Sequence, residues 1–426
     1  MIDEKARQAV DNARWNDGRW VAPLYDSYCF SAIPRLVQAL LTPGPPDPIR
    51  ATLLGPAGDA SYEAVVLFFV DAFGWCFYEQ YADHGPLLER VRDDGRAVKL
   101  TTQFPSTTTA HMTTINTGLS VGQSGLYEWF QYEPRVDAVI SPFLFSFASN
   151  QGRNTLLQAG LSPSDVYPPT TLYQGLAAAG VRSTIFSDAE YTPSPFNDVT
   201  GAGASIRPFT TFEAGLEDLA ALLRAGRGKG PAYYFFYVDE IDSVCHRHGP
   251  ASPEVATSIE RCFTLLQSVF DGEAGAGLRD TLLLLTADHG QIAVDPNATI
   301  YLDQTLPVLE DWIMPNAKGD LLVPAGSSHD FFLHIRPERL DEAHQALGRH
   351  LEGKALVQRV DDLIARGFFG PTSDAFLSRV GDLVVLPEPG QMIWWLGDGR
   401  YKQHFKGHHG GMTPQEMETL LLSLPF

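Results

Sequence analysis

Positive charge is scarce in this chain of 426 residues, where 31 lysines and arginines stand against 51 aspartates and glutamates for a net charge of −20. A surface of that sign repels phosphate backbones and anionic headgroups, so no binding to nucleic acid or to a membrane surface is expected. Cysteine is scarcer still. Cys29, Cys76, Cys245 and Cys262 fall at irregular spacings without a C-x-x-C pair, which argues against a disulfide framework or a cysteine zinc site and leaves core thiols. No apolar run reaches the ~18 residues of a membrane span. The opening MIDEKARQAVDNARW mixes acidic and basic residues where a secretion signal would be apolar, so a soluble, cytoplasmic protein is the expectation. Internal repeats and low-complexity tracts are also missing.

What is present is globular material, 44% hydrophobic and 19% charged, enough for a large core in about two domains. A helical segment reaches about Thr42 and is broken by TPGPPDP (42–48), which predicts an N-terminal extension over residues 1–54 wrapped on a core. Four apolar runs of strand length follow: AVVLFFVDAFG (64–74), RSTIFSD (182–188), AYYFFYVDE (232–240) and DTLLLLTADHG (280–290). Their hydrophobicity is continuous rather than alternating, as in a parallel sheet buried on both faces. PEVATSIERCFTLLQSVFDG (253–272) carries apolar residues at helical spacing after a Ser-Pro start. Strand and helix thus alternate, and an α/β fold with a largely parallel central sheet between helices is predicted over residues 55–296 and 376–426. Residues 297–375 read as a small α/β insert, a lid, with strands at 320–325 and 330–337 and helices at 338–353 and 355–367.

Three of the four core runs lead into the acidic residues Asp71, the group Asp239/Asp242, and Asp288, at the sheet edge where open α/β folds build their sites. Taken alone, an aspartate after a strand is a turn former or helix cap. The company it keeps here is different. His289 follows Asp288 directly, and His246 follows Asp242 at a spacing that puts carboxylate and imidazole on one side of a helical turn, as a shared metal ion requires. KGHHGGM (406–412) adds His408 and His409 in a glycine-rich loop, and FPSTTTAHMTTINTGL (104–119) sets hydroxyl residues before a short helical pattern. A threonine at that junction is a helix cap or a nucleophile whose target phosphoryl oxygens meet the helix amides.

In this order the motifs resemble those of the alkaline phosphatase superfamily, most closely its branch of type I phosphodiesterases and nucleotide pyrophosphatases, over about residues 64 to 412. They are FFVDAFG (68–74), PSTT with TGL (105–108, 117–119), DEIDSVCHRHGP (239–250), TADHG (286–290) and GHHGG (407–411). The resemblance implies an alkaline phosphatase-like fold and places the nucleophile on Thr108 and the late ligand on His409. It further implies two divalent ions, zinc before manganese or iron. One would be held by Asp242, His246 and His409, the other by Asp71, Asp288, His289 and the Thr108 oxygen, with a phospho-threonine intermediate formed on a small phosphodiester or nucleotide pyrophosphate substrate. Where family members carry an asparagine for a phosphoryl oxygen, this chain has Trp129, which leaves Trp129, Tyr127 and Phe130 either stacking on a substrate group or packing in the core. Monoester hydrolysis, phosphonate hydrolysis, mutase-type isomerisation and a noncatalytic metal-binding role are the alternatives, whereas a sulfatase is disfavoured by the missing C-x-P-x-R or S-x-P-x-R segment.

Overall fold

The computed structural model describes residues 1–150, 152–270 and 278–426. Its principal strands are β1 (Ala64–Val70), β2 (Arg96–Thr101), β3 (Arg182–Asp188), β4 (Ser205–Phe209), β5 (Ala232–Val238), β6 (Thr281–Thr286), β7 (Ala325–Ser327), β8 (Asp330–Leu333), β9 (Ala355–Arg359), β10 (Leu383–Pro387) and β11 (Glu418–Pro425). A seven-stranded sheet runs in the order β2-β11-β6-β1-β5-β3-β4. From β6 to β4 all neighbours are parallel, and β11 lies antiparallel to both β6 and β2.

All four apolar runs contain strands of this sheet, and burial shows why they do not alternate. Val65, Leu67 and Phe69 of β1 point into one hydrophobic cluster together with Tyr233, Phe235, Leu282 and Leu284. Val66, Phe68 and Val70 point into a second cluster on the opposite face with Phe236, Leu283 and Leu285. A strand covered on both sides has no solvent face to make polar. The register pairs Val70 with Val238 and Phe69 with Thr286. The chain therefore leaves β1, β5 and β6 at one edge, where Asp71, Asp242 and Asp288 follow.

Helices used below are α1 (Glu4–Asp11), α2 (Ile33–Leu41), α3 (Thr108–Thr117), α4 (Glu240–His248), α5 (Pro253–Ser268) and α6 (Leu340–His350). The N-terminal segment is helical only in part. α1, α2 and a helix at Pro48–Leu54 flank a short antiparallel pair, Arg14–Trp15 with Trp20–Val21, which was not expected. Its tryptophans meet edge to face at 5.2 Å, and Val21 N–H donates to Met412 O at 3.0 Å, so tertiary contacts set a conformation that local pattern did not announce. α5 starts as read, with Ser252 capping Val255, while Asp271 and Gly272 of the expected helix lie outside the described residues.

The second unit departs from expectation in detail. It is built on an antiparallel sheet, β7-β8-β10-β9. The helix expected at 355–367 is instead β9 followed by a short helix at Val360–Ala365, because Leu356 and Val357 pair with Leu386 and Val385 of β10. The strand expected at 320–325 contributes only Ala325 to β7, since Pro324 has no N–H to donate to a ladder. β8 ends at Leu333, short of 337. The fourth strand, β10, comes from beyond residue 375, and Ile300–Tyr301 pairs with Ile393–Trp394, closing the unit at both ends. No helix among the described residues is long and apolar enough to cross a membrane.

Candidate active site

The turn after β1 shapes the first part of the site. Asp71 N–H donates to Val238 O at 2.9 Å, and Ala72 then takes a left-handed φ of 62°. That conformation costs a non-glycine residue roughly 1–2 kcal/mol, and here it aims the Ala72 amide at Asp288 Oδ1, 3.2 Å away. Asp71 Oδ2 accepts from Tyr237 Oη at 2.6 Å and from Thr108 Oγ1 at 3.4 Å. Thr108 is the first residue of α3, and its Oγ1 also lies 3.3 Å from His289 Nε2.

Asp242 and His246 sit one turn apart on α4, with Oδ2 and Nε2 3.3 Å apart. His409 Nε2 lies 3.8 Å from Asp242 Oδ1, and His289 Nε2 lies 3.1 Å from Asp288 Oδ2 and 3.7 Å from Asp71 Oδ1. The His289 and His409 rings stack at 3.7 Å. Each of the three histidines directs Nδ1 at a carbonyl oxygen: His246 at Gly407 (2.8 Å), His289 at Gly290 (3.1 Å) and His409 at Ser106 (3.0 Å). A carbonyl can only accept, so Nδ1 carries a proton in each ring and Nε2 is the atom turned toward the shared centre, able to ligate when the ring is neutral. That arrangement suits metal ligation.

Two ligand groups result, Asp242/His246/His409 and Asp71/Asp242/His289, each with its donor atoms within 4.8 Å of one another. Asp242 belongs to both. Asp288, expected among the ligands of the second ion, holds His289 and the Ala72 amide and brings a second carboxylate to the same place. Asp71 Oδ1 is buried without a hydrogen-bond partner, and buried Asp288 Oδ2 has only the His289 ring, 3.1 Å away. Such atoms are costly unless a cation meets them, and a mixed nitrogen and oxygen donor set fits zinc-type divalent ions. Charge tells the same story. Burial, with Asp288 and Asp242 nearby, holds the Asp71 carboxyl well above its usual range. Burial opposes the charged form of Asp288 too, but the His289 imidazole outweighs it and brings that carboxyl down to about 2. Burial, reinforced by His289 and His246, drives His409 well below the usual imidazole value.

The side chains anticipated as ligands from sequence thus lie close together beside Thr108, and all but Asp288 fall in one of the two groups. Asp239, weighed beside Asp242, turns away to accept from Tyr191 Oη. His408 lies beside the site without joining either ligand group. Tyr127 is buried in the core against Phe332 and Phe376, whereas Trp129 and Phe130 line a cavity of about 440 Å³ in front of Thr108. Residues that sequence reasoning missed include Tyr237, Ser106, His111 and Glu128. His111 donates through Nδ1 to Thr107 O and accepts at Nε2 from Gln103 N–H, and burial pushes its pKa down to about 4, so it supports α3 as a neutral ring. Burial pushes the Glu128 carboxyl, on the cavity wall, up to about 7. Only Ser106 carried a signal, as the hydroxyl residue of P-S-T-T.

Strand-end carboxylates and imidazoles gathered around a helix-start hydroxyl, on a parallel α/β sheet, form an arrangement of the kind found in metal-dependent hydrolases of phosphoric esters. The model of the type I phosphodiesterase/nucleotide pyrophosphatase family matches residues 65–412, and the chain belongs to that family. Over 244 residues it is 25% identical to a venom phosphodiesterase of Naja atra, covering 56% of this chain and 27% of the relative. Over 261 residues it is 26% identical to ectonucleotide pyrophosphatase/phosphodiesterase family member 1 of Homo sapiens, covering 59% and 26%. The chain thus spans about a quarter of the length of the curated relatives it matches. Its fold is that of murine ectonucleotide pyrophosphatase/phosphodiesterase 5, solved as an inactive variant in complex with AMP, at a TM-score of 0.64 and 19% identity over 86% of this chain and 88% of that one.

Proposed function

We propose that this protein cleaves phosphodiester or nucleotide pyrophosphate bonds with Thr108 as nucleophile and two divalent ions, zinc in the first instance, as cofactors. The observation that carries this reading is the position of the Thr108 hydroxyl, at the start of α3 and within 3.4 Å of both Asp71 Oδ2 and His289 Nε2. Asp242, His246 and His409 would hold one ion, and Asp71, Asp288 and His289 the other, with Asp242 in reach of both. Bound there, the ions supply Lewis acidity, lowering the pKa of the hydroxyl and neutralising the phosphoryl oxygens.

Asp71 orients the Thr108 hydroxyl by accepting its hydrogen bond, and the first amides of α3 face the incoming phosphoryl group. The bond from Thr108 Oγ1 to phosphorus forms as the bond to the leaving oxygen breaks, and water then releases the phospho-threonine. A substrate larger than inorganic phosphate is supported by the cavity of about 440 Å³ with Trp129 and Phe130 on its wall. The AMP complex of the murine relative supports a nucleotide, and the aromatic wall offers a base or aryl group a surface on which to stack.

The test is turnover of bis-p-nitrophenyl phosphate and p-nitrophenyl phosphate by zinc-loaded protein. The diester should be the faster substrate, and Thr108→Ala should lower kcat by at least about a thousandfold. Equal rates for variant and wild type remove Thr108 from this role. A chelator that leaves the rate untouched removes the ions.

A further inference from the structure

The loop that carries His409 is gripped from two sides. On the nucleophile side Ser106, two residues before Thr108, accepts from Gly410 N–H at 3.1 Å and donates its own hydroxyl to Gly411 O at 2.8 Å, while its carbonyl takes His409 Nδ1. The opposite side is formed by the β7–β8 turn of the second sheet. Ser327 Oγ lies 3.5 Å from His409 O. A Cβ built on Gly410, whose φ is +115°, would come within 2.6 Å of Ser327 Oγ and 2.8 Å of Asp330 Oδ1. Only glycine fits there, because the turn is pressed directly on the loop backbone. One step further along, Glu416 Oε1 accepts both Gly411 N–H at 2.9 Å and His329 Nδ1 at 2.7 Å. The His329 ring lies parallel to His408, 5.1 Å away.

His329, Asp330 and Glu416 are 2%, 0% and 0% exposed. Packing alone does not call for such a set. Apolar residues would join two layers at no desolvation cost, whereas buried carboxylates and an imidazole are tolerated where their geometry matters. The side-chain hydrogen bonds of this set end on the Gly411 amide, on Thr413, on the turn itself or on each other.

We infer that the β7–β8 turn forms the outer wall of the metal centre, with His329 and Asp330 as positioning residues that fix His409 and so set the affinity of the ion at Asp242, His246 and His409. The inference rests on the proposed role of His409 as a ligand. It also means that the second unit, read from sequence as a lid, is anchored to the metal site at this point.

Chelator competition on the zinc-loaded protein tests it, paired with hydrogen exchange of the metal-free protein. His329→Ala should weaken one zinc of the two by about 10- to 100-fold and leave the other within about threefold. His329→Asn, whose Nδ2 can replace the Nδ1 donor, should restore most of the loss. Asp330→Asn should weaken the same ion. Combined with His409→Ala, His329→Ala should add no further loss, since both act on one ligand. In the metal-free protein His329→Ala should speed exchange at Gly410 and Gly411. The inference is overturned if both zinc affinities are unchanged or fall together, with exchange at 410–411 unaltered. Should wild-type protein bind no zinc, the ligand reading fails separately, and exchange at Gly411 alone decides whether His329 positions the loop.

Discussion

Tyr237→Phe isolates one hydrogen bond at the centre of the site. The Tyr237 hydroxyl donates to Asp71 Oδ2 at 2.6 Å, and burial together with the Asp71 carboxylate holds its pKa well above the usual phenol value, so it remains a donor throughout the working pH range. The other Asp71 oxygen has no partner, and Thr108 is the remaining donor to Oδ2, at 3.4 Å. Removing the hydrogen-bond partner of a buried carboxyl oxygen costs about 1–3 kcal/mol. With an unfolding entropy of about 2.1 cal/mol/K per residue over the whole chain, that lowers Tm by roughly 1–3 °C. The same change frees the carboxylate to rotate, and the loss of such an orienting partner typically weakens a metal by about 10-fold or more. Urea denaturation of the metal-free protein reads the first effect, and chelator competition reads the second. Zinc affinity and stability both equal to wild type would show that Tyr237 does not orient Asp71, and the assignment of Asp71 as a ligand would lose its support.

Arg379 lies buried against Glu133, with Nη2 2.7 Å from Oε2, and also donates to the carbonyls of Gly125 and Val166. Arg379→Met leaves the buried Glu133 carboxylate only the half-exposed Arg135, 3.4 Å from Oε1, and should cost about 3 kcal/mol in denaturant unfolding, most of it regained when Glu133→Leu is added; a loss below about 1 kcal/mol contradicts the reading. His334 fixes an acid limb. Burial pushes its pKa from 6.5 to about 4, so between those pH values the unfolded chain takes up a proton that the folded protein refuses. Stability present above pH 6.5 is lost as pH falls toward 4, by roughly 3 kcal/mol. His334→Phe should flatten that part of the stability profile, and an unchanged slope assigns the titration to other groups.

Much of the site was legible because its ligands announce themselves in short range. The His246 ring reaches Asp242 because four residues make about one helical turn, and His289 follows Asp288 at the end of a strand. A run of hydroxyl residues before a helical pattern marked the segment, and the family resemblance singled out Thr108 within it. Tyr237 did not, being one apolar-run aromatic among several in β5, and its meaning depends on which neighbour β5 pairs with. The second unit was read less well for the same reason. Residues 355–359 carry a pattern compatible with helix or strand, and β10 decides in favour of strand by offering an edge to pair with.

The amino-acid sequence by itself determined the buried strands, the acidic residues at their ends and the hydroxyl at the start of α3. These follow from burial on two faces and from turn chemistry, interactions within a few residues of each other. Tertiary structure alone decided that Asp71, Asp242, Asp288 and His409 share one centre, because the parallel register of β1, β5 and β6 brings their ends to one edge. It also decided that Ser106 holds a ring 303 residues away and that a turn from the second sheet closes on the same loop. Contacts of that separation depend on register and packing, which no local pattern encodes.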